Sequence, residues 1–323
     1  MGDMKHPVVV LAGGLSHQRD VSLRSGHNVA TALRRAGHEV TEADVDSNLV
    51  ATLLGIDGVV AFPMLHGGVG EDGSLREVLN LLQIPYVGSG PGTSRMAYDK
   101  SIGSRMAAAA GVRTPRQVAL PHDVFRELGA SALVAALADH VGLPLIVKPA
   151  RGGSSLGVSR VDDVAGLPQA MATAYAYDDL VVVEQFIEGT ELAIGMITTR
   201  QGTEVLPAVE IRPVGGVYDY AAMYTAGETR LTAPADISPA AASEAEEIAR
   251  TAAQVLDLSG ISRVDAIVGK DGHPVFLEAG VAPGMTDTSL VPVGMQAAGL
   301  DLAEVCSRLV SDAAGDDLDR DDD

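Results

Sequence analysis

The sequence predicts an α/β fold that opens with a parallel sheet. Three observations carry this. Short apolar runs at residues 8–12, from Val40 onward and at residues 58–62 alternate with helical spacing, the pattern of strand–helix–strand units. A long β-rich section runs from Leu180 to about residue 232. Two further apolar runs, at residues 260–280, flank Asp271-Gly272, a two-residue hairpin signal.

The first run ends in Gly13-Gly14 and leads through Ser16-His-Gln-Arg-Asp20 into a helix. Val29 and Leu33 recur at helical spacing, and Gly37 is the expected stop. A glycine turn after a first strand suggests a dinucleotide site, but the G-x-G-x-x-G spacing is missing. Residues 63–75 form a glycine-rich loop carrying His66, Glu71 and Asp72. Binding groups concentrate on such loops; the plainer alternative is a tight turn in which Asp72 or Ser74 caps the next helix. A boundary is expected near Gly90, then one helix over 94–110, another over 130–140, a strand ending at Lys148, and helices over 239–256 and 299–312. These divisions suggest an N-terminal α/β domain (1–95), a central lid domain (96–185), a C-terminal domain (186–315) and an acidic tail (316–323).

Composition narrows the function. The chain has 323 residues, 46% of them hydrophobic, which suits two or three packed domains. Aromatics make up 3%, with no Trp, so Val, Leu, Ile and Ala must fill the core. A formal charge of −20 argues against nucleic acid and anionic membrane as partners, because both contacts need clustered Lys and Arg. The single Cys306 precludes an internal disulfide and reads as a buried filler on the last helix. With no bilayer-length apolar run and no secretory signal, a cytoplasmic location is the default expectation.

Pairing the two runs about Asp271-Gly272 sets Asp265 opposite Glu278 and puts Arg263, Asp265, Glu278 and Gly280 on one face. Facing carboxylates destabilise a sheet unless a cation lies between them. All-oxygen ligands suit magnesium, which keeps waters and phosphate oxygens as its other ligands. The alternative is a solvated hairpin face. Lys148 ends an apolar strand, where lysine is rare unless paired. Gly153-Ser154-Ser155-Leu-Gly157 follows, offering amides and hydroxyls to phosphate, or else forming an ordinary turn. Glu184 with Phe186 and Ile187 could form an adenine pocket, or simply end a core strand.

Seven ordered segments then carry a resemblance. They are Gly13–Leu23, His66–Gly73, Gly88 through Lys100, Lys148 through Ser155, Tyr218–Tyr224, Arg263–Asp265 and Leu277–Thr286. Together they resemble the D-alanine–D-alanine ligase family of the ATP-grasp superfamily. The resemblance implies a three-domain ATP-grasp fold with a Rossmann-like N-terminal domain. It implies that ATP and magnesium (or manganese) drive ligation of two D-alanines through an acyl phosphate, for peptidoglycan precursor supply. Lys100, Lys148 and Ser155 would hold phosphates. Glu184, Phe186, Ile187 and Glu191 would hold adenosine, and Asp265 and Glu278 the metal. Arg263 and the Gly284 amide would stabilise the oxyanion. Ser289 and Leu290 would bind the second substrate, and His66 would lie near the first. Asp20 would anchor the first ammonium, with Ser154 and Tyr224 closing the site. The bland alternatives are a helix cap for Asp20, a turn residue for Ser154 and a packed aromatic for Tyr224. A homodimer is also implied.

The chain departs from the family pattern in three places. Asp20 stands where the family usually has Glu. Gly280 replaces an Asn that would ligate a second metal. Met223 replaces a Lys expected near the γ-phosphate. These departures motivate two alternatives: a divergent ATP-grasp ligase joining other amino or hydroxy acids, or a binding protein that keeps the fold without catalysis.

Overall fold

The computed structural model describes residues 5–214 and 227–316. Three sheets organise it. The first holds β1 (Val8–Ala12), β2 (Val40–Asp44) and β3 (Val60–Pro63), all parallel in the order β2-β1-β3. Helix α1 (Arg19–Arg35) crosses from β1 to β2, and α2 (Leu49–Leu54) from β2 to β3. Strand β1 is buried along its whole length, as a central strand covered on both faces must be, which explains its unbroken apolar run. Gly37, with φ 92°, follows α1 in a conformation that glycine adopts without strain. Helix α3 (Ser74–Leu81) follows the glycine-rich loop.

The expected single helix over 94–110 is two helices, α4 (Pro91–Tyr98) and α5 (Lys100–Ala109). Asp99 is extended between them, and its carboxylate accepts the Ser101 and Ile102 amides. That is an N-cap, which starts a new helix rather than continuing the old one. The break places Lys100 in the first turn of α5.

The second sheet is antiparallel, in the order β4-β7-β5-β6. Its strands are β4 (Gln117–Pro121), β5 (Leu145–Pro149), β6 (Ser159–Val161) and β7 (Leu180–Gln185). Helices α6 (His122–Leu128), α7 (Ala130–Val141) and α8 (Leu167–Tyr175) accompany it.

The third and largest sheet has the order β11-β10-β8-β12-β13, with β9 also pairing β8. Its strands are β8 (Gly189–Thr199), β9 (Gly202–Val205), β10 (Val209–Pro213), β11 (Thr229–Thr232), β12 (Gly260–Gly269) and β13 (Pro274–Gly280). Helix α9 (Pro239–Leu256) lays the buried alanines 241, 245, 249, 252 and 253 in one core with Leu192, Val264 and Phe276 of this sheet. Helices α4 and α5 pack on β13 and α9. By packing, therefore, residues 96–109 sit with the third sheet, although the sequence suggested a central unit from residue 96. Helices α10 (Leu290–Ala297) and α11 (Leu302–Ala314) close the chain, α11 against α1. Cys306 is fully buried in that contact region, and burial pushes its thiol up to about 12, so it is an inert filler.

The hairpin differs from expectation in its turn. The loop has three residues, Lys270–Gly272: the Gly269 amide donates to His273 O (3.0 Å) and the Gly272 amide to Gly269 O (2.9 Å). Gly272, at φ 81°, supplies the left-handed residue that such a loop requires. Pairing beside the turn is thereby offset by one, with Val268 facing Pro274 and Ala266 facing Phe276. A bulge next to Asp265 then restores the register, so Asp265 does face Glu278. The two offsets cancel.

Candidate active site

A cavity of about 900 Å³ is lined by residues from the first loop, the glycine-rich loop, the second sheet and the third sheet. At one end Phe186, Ile187, Glu191 and Leu192 form a largely apolar wall. The Arg160 guanidinium lies 4.2 Å over the Phe186 ring. No motif marks Arg160 in the sequence; β6 carries it there. Burial, with the Asp265 charge beside it, pushes the Glu191 carboxyl up to about 7.

Next along the cavity, Lys148 Nζ lies 2.6 Å from Glu184 Oε1, each side chain 7% exposed. The register explains the pair. Glu184 faces Ile146 across β5 and β7, so Lys148 is its diagonal neighbour. Burial works against the Lys148 charge, but Glu184 and the nearby Glu278 outweigh it and hold its pKa above the usual lysine range. Lys100 Nζ donates to Gly152 O and lies 3.8 Å from Glu278 Oε2, joining the 151–157 loop to the hairpin. Ser155 lines the cavity with φ 56°, whereas Ser154 is buried off the cavity wall.

On the hairpin face, Arg263 grips Asp265 with both Nε and Nη2 at 2.7 Å. Burial pushes the Asp265 carboxyl up, the arginine draws it down, and the facing Glu278 adds repulsion. Burial also opposes the Glu278 charge, but Lys100, Lys148 and Arg263 together hold that carboxyl below its usual range. The pair is thus a hard-oxygen donor set flanked by cations. Among the described residues no cluster of three His, Cys, Asp or Glu side chains is placed to hold a metal. Gly280 follows on the same face, and a Cβ built on it meets nothing within 4 Å.

At the far end, the His66 ring bridges two elements. Nδ1 lies 2.9 Å from Ala282 O and Nε2 3.1 Å from Ser25 Oγ, which itself accepts the Met285 amide (3.0 Å). A carbonyl only accepts, so Nδ1 carries the proton and Nε2 accepts the serine hydroxyl. Burial lowers the His66 pKa to about 4, so the ring is neutral near pH 7. Its role is to hold the 282–285 segment, which contains Gly284. The Gly284 amide donates to no protein group among the described residues. A Cβ on Gly284 would come within 2.8 Å of Ser289 Oγ, which explains the glycine. Ser289 is the N-cap residue of α10, and Leu290 begins that helix; both line the cavity.

The first loop corrects one expectation. Asp20 is exposed and does not line the cavity; Gln18 and Val21 do. Helix α1 turns inward through Val21, Ser22 and Ser25. At about 100° per residue, Asp20 falls about 160° from Ser22, on the outer face. The first-loop group facing the cavity is therefore an uncharged amide. Tyr224 and Met223 lie outside the described residues. Glu71, Arg24, Arg151 and Arg160 also line the cavity without having been singled out as site residues. The inward helical spacing of Val21, Ser22 and Ser25 was the signal available for Gln18.

His66 and Glu191 make opposite pH demands. Neutral His66 adds stability that is complete above its unfolded pKa of 6.5 and is lost as pH falls toward about 4. Half-buried Glu191 prefers its proton, so its contribution is complete below about 4.5 and is lost as pH rises through about 7. Each effect is about 3 kcal/mol, and they oppose one another between pH 4.5 and 6.5. Glu191→Gln should expose the His66 slope. Urea midpoints of that variant should climb with pH across this window while the parent's stay flatter; parallel curves would refute the assignment.

Comparison with known proteins shows the family. Residues 106–311 match the family model described as D-ala D-ala ligase C-terminus, and residues 42–89 match D-ala D-ala ligase N-terminus. A D-alanine–D-alanine ligase of Bordetella petrii is 40% identical over 307 residues, covering 95% of this chain and 92% of the relative. One from an Anaeromyxobacter species is 43% identical, covering 95% and 96%. Among solved structures, the VanG D-Ala:D-Ser ligase of Enterococcus faecalis superposes with a TM-score of 0.83 at 26% identity, over 96% of this chain and 100% of that one. The Bacillus anthracis D-alanine–D-alanine ligase complexed with ATP gives 0.79 at 27% identity, over 95% and 97%. The chain belongs to the D-alanine–D-alanine ligase family.

Proposed function

We propose that this protein uses ATP to join two D-alanine molecules, giving D-alanyl-D-alanine, ADP and phosphate for peptidoglycan precursor synthesis. The observation that carries this reading is one cavity lined by the apolar groups around Phe186, two lysines, two facing carboxylates, Arg263 and Gly284, whose amide meets no protein acceptor among the described residues. Adenosine fits the end lined by Phe186, Ile187, Glu184 and Glu191. Lys100, Lys148 and Ser155 would meet the phosphates. The first carboxylate attacks the γ-phosphorus and ADP leaves. The second amine then attacks the acyl carbon, loses a proton and expels phosphate. Arg263 and the Gly284 amide face the oxygen that gains charge in that second step, where fixed donors act most strongly. The N-terminus of α10, with Ser289 and Leu290, suits the carboxylate of the second amino acid.

Asp265 and Glu278 would hold magnesium or manganese, with waters and phosphate oxygens completing the shell, as their hard-oxygen chemistry and facing positions favour. The bound cation would neutralise charge on the transferred phosphoryl group. Family membership supports a homodimer acting in the cytoplasm. Among the described residues no helix is long and apolar enough to cross a membrane.

The test is phosphate release that depends on D-alanine, with the dipeptide identified by mass. Absence of dipeptide across wide magnesium and substrate ranges would sink the reading. The same assay checks the metal. Gly280→Asn enters open space beside Glu278 and adds a carbonyl oxygen. It should lower the magnesium concentration needed for half-maximal rate about three- to tenfold, a hydrogen-bond-scale gain; an unchanged requirement would place the metal elsewhere.

A further inference from the structure

We propose that Glu71 receives the ammonium group of the first amino acid, with the Gln18 side-chain oxygen as a neutral second acceptor. This rests on the ligase reading above. An amino acid brings a positive charge into the cavity, and a charge leaving water needs a charged or hydrogen-bonding partner there. The first loop does not offer a carboxylate, since Asp20 is exposed and Gln18 takes the inward place. The other carboxylates on the wall are engaged, assigned to another group or exposed. Glu184 is paired with Lys148, Asp265 with Arg263, and Glu278 faces Asp265 beside Lys100. Glu191 belongs to the nucleoside end, and Asp287 is exposed near the start of α10.

Glu71 remains, and its surroundings suit the task. It lines the cavity with only 8% of its surface exposed. Its Oε1 accepts the Gly67 amide at 2.6 Å. Its Oε2 accepts no hydrogen bond among the described residues. Gln18 Oε1 flanks the same glycine, 2.9 Å from where a Gly67 Cβ would stand. Both acceptors therefore lie against the same residue. A Cβ on Gly153 would lie 3.7 Å from both Glu71 oxygens, so the loop that bears Ser155 covers this corner. The glycine-rich loop that carries Glu71 is held in place: buried Arg76 donates to Gly70 O, and Tyr98 Oη accepts the Gly68 amide at 3.1 Å. Burial holds the Glu71 carboxyl above its usual range, against the pull of the Gly67 amide and of Arg263, Lys100 and Arg76. An arriving ammonium favours the charged form, which couples substrate binding to ionisation of this group.

The experiment compares D-alanine with propionate, which lacks the ammonium, as the first substrate. Hydroxylamine traps the acyl phosphate in each case. Glu71→Gln keeps an oxygen for the Gly67 amide but removes the charge. It should raise the KM for D-alanine in the first site about ten- to hundredfold, the scale of a charged hydrogen bond. Turnover of propionate and the KM for ATP should stay within about threefold. Equal losses for both acids would mark a structural role, and no change would exclude contact; either overturns the proposal. If Glu71→Gln does not fold, Gln18→Leu is judged by the same ratio: a three- to tenfold selective loss for D-alanine supports the site, and an equal loss overturns it. If the unaltered chain gives neither hydroxamate nor dipeptide, the ligase reading fails and this assignment fails with it, a result distinct from a change in the ratio.

Discussion

Arg263→Met is expected to reduce kcat by about a hundred- to a thousandfold, the usual cost of losing one oxyanion donor. The loss should extend further than that single contact suggests. Arg263 holds Asp265 through two hydrogen bonds of 2.7 Å, and it is the strongest influence lowering a carboxyl that burial raises. Without it, Asp265 retains its proton more readily and loses its fixed orientation. The requirement for magnesium and the KM for ATP should therefore rise together with the fall in kcat. Arg263→Lys restores a charge but not the two-pronged geometry, so it should recover only part of the rate. Steady-state kinetics with ATP, magnesium and D-alanine varied separately would show this. A kcat within fivefold of the parent would exclude Arg263 from the transition state.

Lys148→Met should cost about 3–5 kcal/mol of stability, because it leaves the Glu184 carboxylate buried without its partner. Both side chains are 7% exposed, so water cannot compensate. The double variant Lys148→Met/Glu184→Leu removes both charges and should regain most of that stability, since apolar residues of similar volume often replace a buried ion pair at little cost. It should not regain turnover, because a phosphate would meet no lysine there. Urea unfolding and ATP turnover on the same two proteins separate the effects. A single variant that loses less than about 1 kcal/mol would mean the pair is solvated. Turnover in the double variant would remove Lys148 from the phosphate site.

These expectations combine features legible in the chain with features that were not. The facing of Asp265 and Glu278 was legible because side chains alternate along a strand and the two runs flank a turn. Even there the route differed, since a three-residue loop and a bulge replaced the simple turn. The inward residue of the first loop was assigned wrongly. The family resemblance pointed to Asp20, while the packing of α1 through Val21, Ser22 and Ser25 puts Gln18 on the cavity wall. The continuous helix expected over 94–110 gave way to the Asp99 cap, a local signal present in the sequence but outweighed by the surrounding alanines.

The sequence alone determined the parallel start, the acidic hairpin and the resemblance to a ligase family. Those follow from periodicity, turn chemistry and ordered motifs, all of them short-range along the chain. Tertiary structure alone decided what each polar group meets. His66 reaches Ala282, Lys100 reaches Gly152 and Glu278, Lys148 pairs with Glu184, and Glu71 shares Gly67 with Gln18. These partners lie far apart in sequence or on helix faces that only packing can fix. A buried charge or hydrogen-bonding group is defined by its partner, and the partner is set when the sheets and loops close around the cavity.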